Sequence, residues 1–146
     1  MVIDVELYLN PPPPTVEELV ELERRAGIDL AVLMPAPTLR PDNAAVRDAA
    51  SRFSMFIPCA CVNPQLGAEA VEEFEIAVKE WGFRGLKLMP PKHGYRVVDE
   101  IVRPLLEKAL VELSIPTDKI LVNHSQVDDD AVRRFRDLDT PDSPHQ

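Results

Sequence analysis

The chain has 146 residues, 45% of them hydrophobic, 28% charged and only 5% aromatic, a balance that fits one soluble globular domain and argues against a disordered tail or a membrane protein. With 25 Asp and Glu against 16 Lys and Arg, the formal net charge is −9, and the few cations are interleaved with acids, so the clustered positive charge that nucleic acid requires is missing. No apolar run approaches the roughly 20 residues of a membrane span, and the two cysteines, Cys59 and Cys61, with no apolar leader ahead of them, point to a reducing, cytoplasmic setting.

Short apolar runs alternate with longer helical stretches. Residues 2–9 read as a strand that ends at Asn10 and four prolines, which donate no hydrogen bond to a ladder. Thr15 and Glu18 have capping-box spacing, Val16, Leu19, Val20 and Leu22 make an apolar stripe, and Gly27 is the stop, so a helix is expected between them. Residues 28–34 read as a second strand, 35–42 as a Pro-rich loop and 43–52 as an alanine-rich helix. A third strand is expected at 56–62, followed by a loop marked by Asn63, Pro64 and Gly67, and a helix from about 68 to 81 that stops at Gly82. Residues 83–89 read as the fourth strand and 90–96 as a longer loop; a fourth helix follows Asp99 and fades near Leu113. A short fifth strand at 120–122 and a last helix at 128–138, preceded by acids that suit its N-terminal dipole, complete the pattern.

Strands alternating with helices of this length imply βαβ units and a parallel sheet. Two arrangements fit, an open doubly wound sheet or a piece of a barrel, because a complete eight-stranded α/β barrel usually takes about 250 residues. Either one binds ligands at the carboxyl ends of the strands. No Gly-x-Gly-x-x-Gly or Walker pattern occupies those loops, which removes the usual dinucleotide and nucleoside triphosphate readings.

The order and wording of these segments resemble the amidohydrolase-related family of metal-dependent hydrolases and decarboxylases. The resemblance rests on Ile3-Asp4-Val5, Ala26-Gly27-Ile28-Asp29, Ala31-Val32-Leu33-Met34, Ala60-Cys61-Val62-Asn63-Pro64 and, most specifically, Gly82-Phe83-Arg84-Gly85-Leu86-Lys87-Leu88. It continues through Val102-Arg103-Pro104-Leu105 to Ile115-Pro116. It implies a partial TIM (βα)8 barrel of about five parallel strands, a half-barrel or open sheet, in one domain over residues 1–140 with a flexible tail at 141–146. Where the family continues from Ile-Pro into a histidine-bearing fifth strand, this chain has Thr117-Asp118-Lys119, and residues 127–138 resemble the helix after the eighth strand. Central strands five to seven are therefore expected to be absent, with the junction near residues 115–119.

In the family the first strand ends in His-x-His, whose two imidazoles lie on one face and reach one divalent ion, which activates a bound water. The matching positions are Glu6 and Tyr8. Glutamate can ligate a metal, whereas neutral tyrosine is a poor ligand. The late-strand aspartate of the family falls at Ser125, with His124 beside it, so His124 is the candidate second ligand and general base. A reduced site would then hold a divalent ion, zinc first, on Glu6 and His124, with Tyr8, Lys87, His93 and Tyr95 around a small-molecule substrate.

Each candidate has a plainer alternative. Glu6 and Tyr8 can be polar residues at a strand end, His124, His93 and Tyr95 exposed loop residues, and His145 part of a Pro-rich tail. Cys59 and Cys61 share a face but lack the third and fourth ligands of a zinc site, which leaves reduced core cysteines. Lys87 alternates with Leu86 and Leu88 and so faces the interior with Gly85 and Met89, where it needs a counter-charge. Glu6 is the inward candidate, and a Glu6–Lys87 ion pair is expected to occupy the space the family gives to metal. If that pair is buried, Lys87→Met should cost about 3–5 kcal/mol. Three functional readings stay open: an active metal-dependent hydrolase or decarboxylase, a non-catalytic scaffold that assembles as a half-barrel homodimer, and a remnant without present function.

Overall fold

The computed structural model describes residues 1–113. The fifth strand, the last helix, the junction at 115–119, the tail, Ser125, His124 and His145 lie outside the described residues. The described part alternates parallel strands with helices: β1 (Ile3–Leu9), α1 (Val16–Arg25), β2 (Leu30–Pro35), α2 (Asn43–Arg52), β3 (Phe56–Pro58), β4 (Ala60–Cys61), α3 (Ala68–Lys79), β5 (Leu86–Lys87), a short α4 (Pro90–His93) and α5 (Arg103–Glu112). A 3-10 turn, Pro64–Leu66, follows β4.

The helix signals act as expected. The Thr15 side chain accepts from Glu18 N, and Glu18 closes the capping box of α1. Asp42 caps α2 by accepting from Ala45 N at 3.0 Å. Gly27 and Gly82, with φ of 79° and 72°, turn the chain after α1 and α3 in a left-handed conformation that side chains resist.

All ladders are parallel, in two open sheets, β1-β2-β3 and β4-β5. The strand expected at 56–62 is split at Cys59. Pro58 has no N–H to give, and the chain changes partners there: Cys59 N still bonds to Leu33 O on β2, whereas Ala60 N bonds to Gly85 O beside β5. The two sheets are thus one run of four neighbouring positions with a hand-over in the third. The strand expected at 83–89 narrows to Leu86–Lys87, since only Ala60 and Cys61 pair with it among the described residues. The loop expected at 90–96 contains α4, stopped by Gly94 in the left-handed region. α5 begins at Arg103 instead of directly after Asp99, because Pro104 belongs in a first helical turn.

The alternation of side chains divides the sheet cleanly. Leu7, Leu9, Ala31, Leu33, Ala60, Val62, Leu86 and Leu88 pack into one cluster with Val20, Val46, Phe74, Ala77 and Leu105 from the helices. The opposite face carries Glu6, Tyr8, Met34, Cys59, Cys61, Lys87 and Met89 in the alternate positions. That second face holds the polar chemistry.

Candidate functional site

β1 is bulged. Asp4 pairs with Ala31 and Leu7 with Leu33, so Val5 and Glu6 together oppose a single residue of β2, and the Asp4 carboxylate accepts from Glu6 N at 2.9 Å across the irregularity. Such a bulge re-aims a side chain at a strand end. Here it aims Glu6, the exposed member of the cluster, at its neighbours. Tyr8 Oη donates to Glu6 Oε1 at 2.6 Å, and Lys87 Nζ donates to the same oxygen at 2.8 Å. Tyr8 Oη also lies 3.8 Å from Met89 Sδ. The ion pair expected between β1 and the fourth strand position is present.

Its surroundings differ from the expectation. The Glu6 side chain is 52% exposed and that of Lys87 27%, so the pair sits at a solvated rim and the cost expected for a fully buried pair does not apply. The protonation states agree with the geometry. Bonds from Lys87 and then Tyr8, with the Lys87 charge, hold the Glu6 carboxyl below the usual carboxylate range. Burial and the bond to Glu6 raise the Tyr8 phenol. Burial pulls the Lys87 ammonium down, but the Glu6 bond and the neighbouring Tyr8 and Glu6 outweigh it and leave the group raised. At neutral pH the cluster is a carboxylate held between an ammonium and a neutral phenol.

The two cysteines are free and buried, as expected of core thiols. Burial first pushes Cys59 up to about 11 and Cys61 up to about 12, so both stay protonated at neutral pH. Cys59 lies close to Gly85: a Cβ built on Gly85 would meet Cys59 Sγ at 3.0 Å. Gly85 is therefore glycine because the neighbouring strand carries a side chain into its space.

His93 and Tyr95, expected in an exposed loop, are buried at 5% and 7% exposure. Their rings stack with centroids 6.4 Å apart. His93 Nε2 donates to the Thr38 carbonyl at 2.8 Å, and Gln65 Nε2 donates to the carbonyls of His93 and Gly94. Asn63 Nδ2 donates to Leu39 O at 3.1 Å. The loops after β2, β4 and β5 are stitched together by these donors. The structure thus brings Glu6, Tyr8 and Lys87 into one cluster and His93 and Tyr95 into another; His124 lies outside the described residues.

Asn43 is a residue whose importance the sequence does not announce. It is 1% exposed. Its Nδ2 donates to Cys61 O at 2.8 Å and to Glu73 Oε1 at 2.6 Å, and its Oδ1 accepts from Cys61 N at 3.0 Å. It pairs with β4 as a neighbouring strand would and so holds the third strand position in place.

Among the described residues, the donors at this strand end do not by themselves fit a divalent ion. Glu6 Oε1 already accepts two hydrogen bonds, Tyr8 is a neutral phenol, and the Lys87 ammonium lies beside the carboxylate that would have to bind the ion. Among the described residues no group of three His, Cys, Asp or Glu side chains is placed to hold a metal.

The family model described as amidohydrolase matches residues 5–140. No curated protein matches the chain. Two solved structures of 5-carboxyvanillate decarboxylase from Novosphingobium aromaticivorans, each with bound manganese and a methoxy-hydroxy-nitrobenzoic acid, are similar to it at 18% and 17% identity, both with a TM-score of 0.61 and covering 80% of this chain and 49% of the other. A 2,6-dihydroxybenzoate decarboxylase complexed with 2,6-dihydroxybenzoate is similar at 15% identity, with a TM-score of 0.54, over 74% of this chain and 47% of that one. The chain therefore spans about half the length of the structures it resembles. At these identities the likeness is one of fold. Among the described residues no helix is long and apolar enough to cross a membrane.

Proposed function

The chain belongs to the amidohydrolase family, and from that premise we propose that it keeps the family scaffold and its strand-end polar cluster but is impaired in metal-dependent hydrolysis or decarboxylation. The observation that carries this reading is Tyr8: where the family resemblance implies the second imidazole of a metal pair, a neutral phenol donates to Glu6 at 2.6 Å. A protonated phenol donates where a metal site needs a lone pair. What the cluster does instead is hold three side chains from two strands in a fixed, internally neutralised arrangement at the carboxyl ends, the place where such folds receive small molecules.

The structural neighbours act, by their names, on hydroxylated aromatic carboxylic acids, so these are the compounds to try. Purified protein supplied with manganese or zinc is expected to leave 5-carboxyvanillate and 2,6-dihydroxybenzoate unchanged. Sustained carbon dioxide release that is lost in Glu6→Gln would overturn the reading and restore an active site, with His124 as the further ligand or base and Lys87, His93 and Tyr95 around the substrate.

A second role, assembly, is favoured by the outer edge of β1. Ile3 and Val5 are 41% and 72% exposed on a strand whose second edge has no partner among the described residues, and Val2 just before it is 53% exposed. Exposed apolar edge strands recruit further strands, and a second copy would set β1 of one half-barrel beside β5 of the other. Light scattering should then give twice 16.4 kDa; a monomer at all concentrations would remove this role.

A further inference from the structure

We infer that the Lys87 ammonium is the resident cation of the Glu6 carboxylate, tethered to the chain, and that it keeps divalent ions off the strand end; neutralising it frees the Glu6 carboxylate for a hard divalent cation. The inference rests on the functional reading above and gives it a cause.

Three observations carry it. Lys87 Nζ and Tyr8 Oη converge on one oxygen, Glu6 Oε1, at 2.8 and 2.6 Å. A metal on either oxygen of that carboxylate would sit roughly 2.0–2.2 Å from it, close enough to the ammonium for strong like-charge repulsion even at a solvated rim. The lysine is also anchored. Leu86 and Leu88 on either side of it pack against the core, and the Leu86–Lys87 ladder pairs with Ala60 and Cys61, so the ammonium has a fixed base and only its side-chain torsions to move. Finally, Glu6 is the only carboxylate that pairs with Lys87 among the described residues. The match is one anion to one cation, with the phenol filling the remaining donor position.

With the ammonium gone, the donor left at this spot among the described residues is the Glu6 carboxylate, with water free to complete a shell. Oxygen donors of this kind suit magnesium, calcium and manganese over softer metals. Manganese is the useful probe because its free form is read directly by electron paramagnetic resonance.

The experiment is a manganese titration of the wild-type chain, Glu6→Gln, Lys87→Met, Lys87→Arg and the Glu6→Gln/Lys87→Met double variant, each checked for folding by its thermal melt. Wild type, Glu6→Gln and Lys87→Arg are expected to bind equally weakly. Lys87→Met should bind at least about tenfold more tightly, as removal of a nearby like charge requires, and the double variant should return to the wild-type level. Tight binding by the wild type that Glu6→Gln abolishes would overturn the inference, and so would a folded Lys87→Met that binds no better than wild type. If Lys87→Met fails to fold, the comparison of wild type with Glu6→Gln decides alone: equal affinity supports exclusion and a loss in Glu6→Gln overturns it. Metal-dependent turnover by the wild type would defeat the functional reading, whereas an unchanged affinity in Lys87→Met with no turnover defeats only the role given to Lys87.

Discussion

Two polar clusters bracket the strands of this half-barrel and use the same kinds of bond in opposite surroundings. On the helix side of β4, Asn43 is sealed from water and spends all of its amide on Cys61 and Glu73. On the open side, Glu6, Tyr8 and Lys87 share one oxygen at a rim where the carboxylate is half exposed. Water can replace any bond lost in the second cluster but not the two buried bonds between Asn43 and Cys61. The buried cluster is therefore expected to govern stability, and the open one to govern what the strand end binds.

That contrast can be broken most severely at Asn43. Asn43→Leu leaves the buried N–H and C=O of Cys61 without their partner, and a buried polar group left unpaired costs about 1–3 kcal/mol each. A loss of about 3 kcal/mol is expected from urea denaturation with an unchanged m-value; a loss under about 1 kcal/mol would mean that the clasp is solvated. Gly85→Ala comes next. Its new methyl would press on Cys59 Sγ, and overpacking of this kind typically costs about 1–3 kcal/mol. Combining it with Cys59→Ala should recover part of the loss, and strict additivity of the two changes would show that they do not meet.

Lys87→Met should have the smallest effect, about 1 kcal/mol or less for a pair this exposed, and high salt should shrink it. Its pH dependence has a definite sign. The Glu6 carboxyl is depressed in the folded chain, so the pair's contribution is fully present above the ordinary glutamate value of about 4.3 and disappears as pH falls through the folded value. The difference in Tm between wild type and Lys87→Met should accordingly hold at pH 6–7 and close in acid. A gap that widened below pH 4 would contradict the assignment.

Much of this is legible in the sequence of residues 1–113. The capping box at Thr15 and Glu18, the α2 bounds at Asn43–Arg52 and the placing of Lys87 on the face opposite Leu86 and Leu88 follow from local chemistry and a period of two. Other features depended on distance in three dimensions. The bulge that turns Glu6 toward both Tyr8 and Lys87 leaves no mark in a strand of alternating character. Asp42 caps α2, whereas Asn43 turns inward because the first residue of this helix, which packs on β2 and β3, meets the Cys61 backbone in β4. The sequence leaves His93 and Tyr95 exposed because 90–96 has the composition of a loop, whereas both are buried. Pro90 and Pro91 followed by Gly94 were the available signal for the short helix that buries His93.

Lys87 holds the Glu6 carboxylate, and a double-mutant cycle on the stabilities of wild type, Glu6→Gln, Lys87→Met and the pair measures that hold directly. The expected result is a favourable coupling of about 0.5–1 kcal/mol at low salt that fades in about 1 M salt. A coupling of zero at low salt, with both single variants folded, would contradict it.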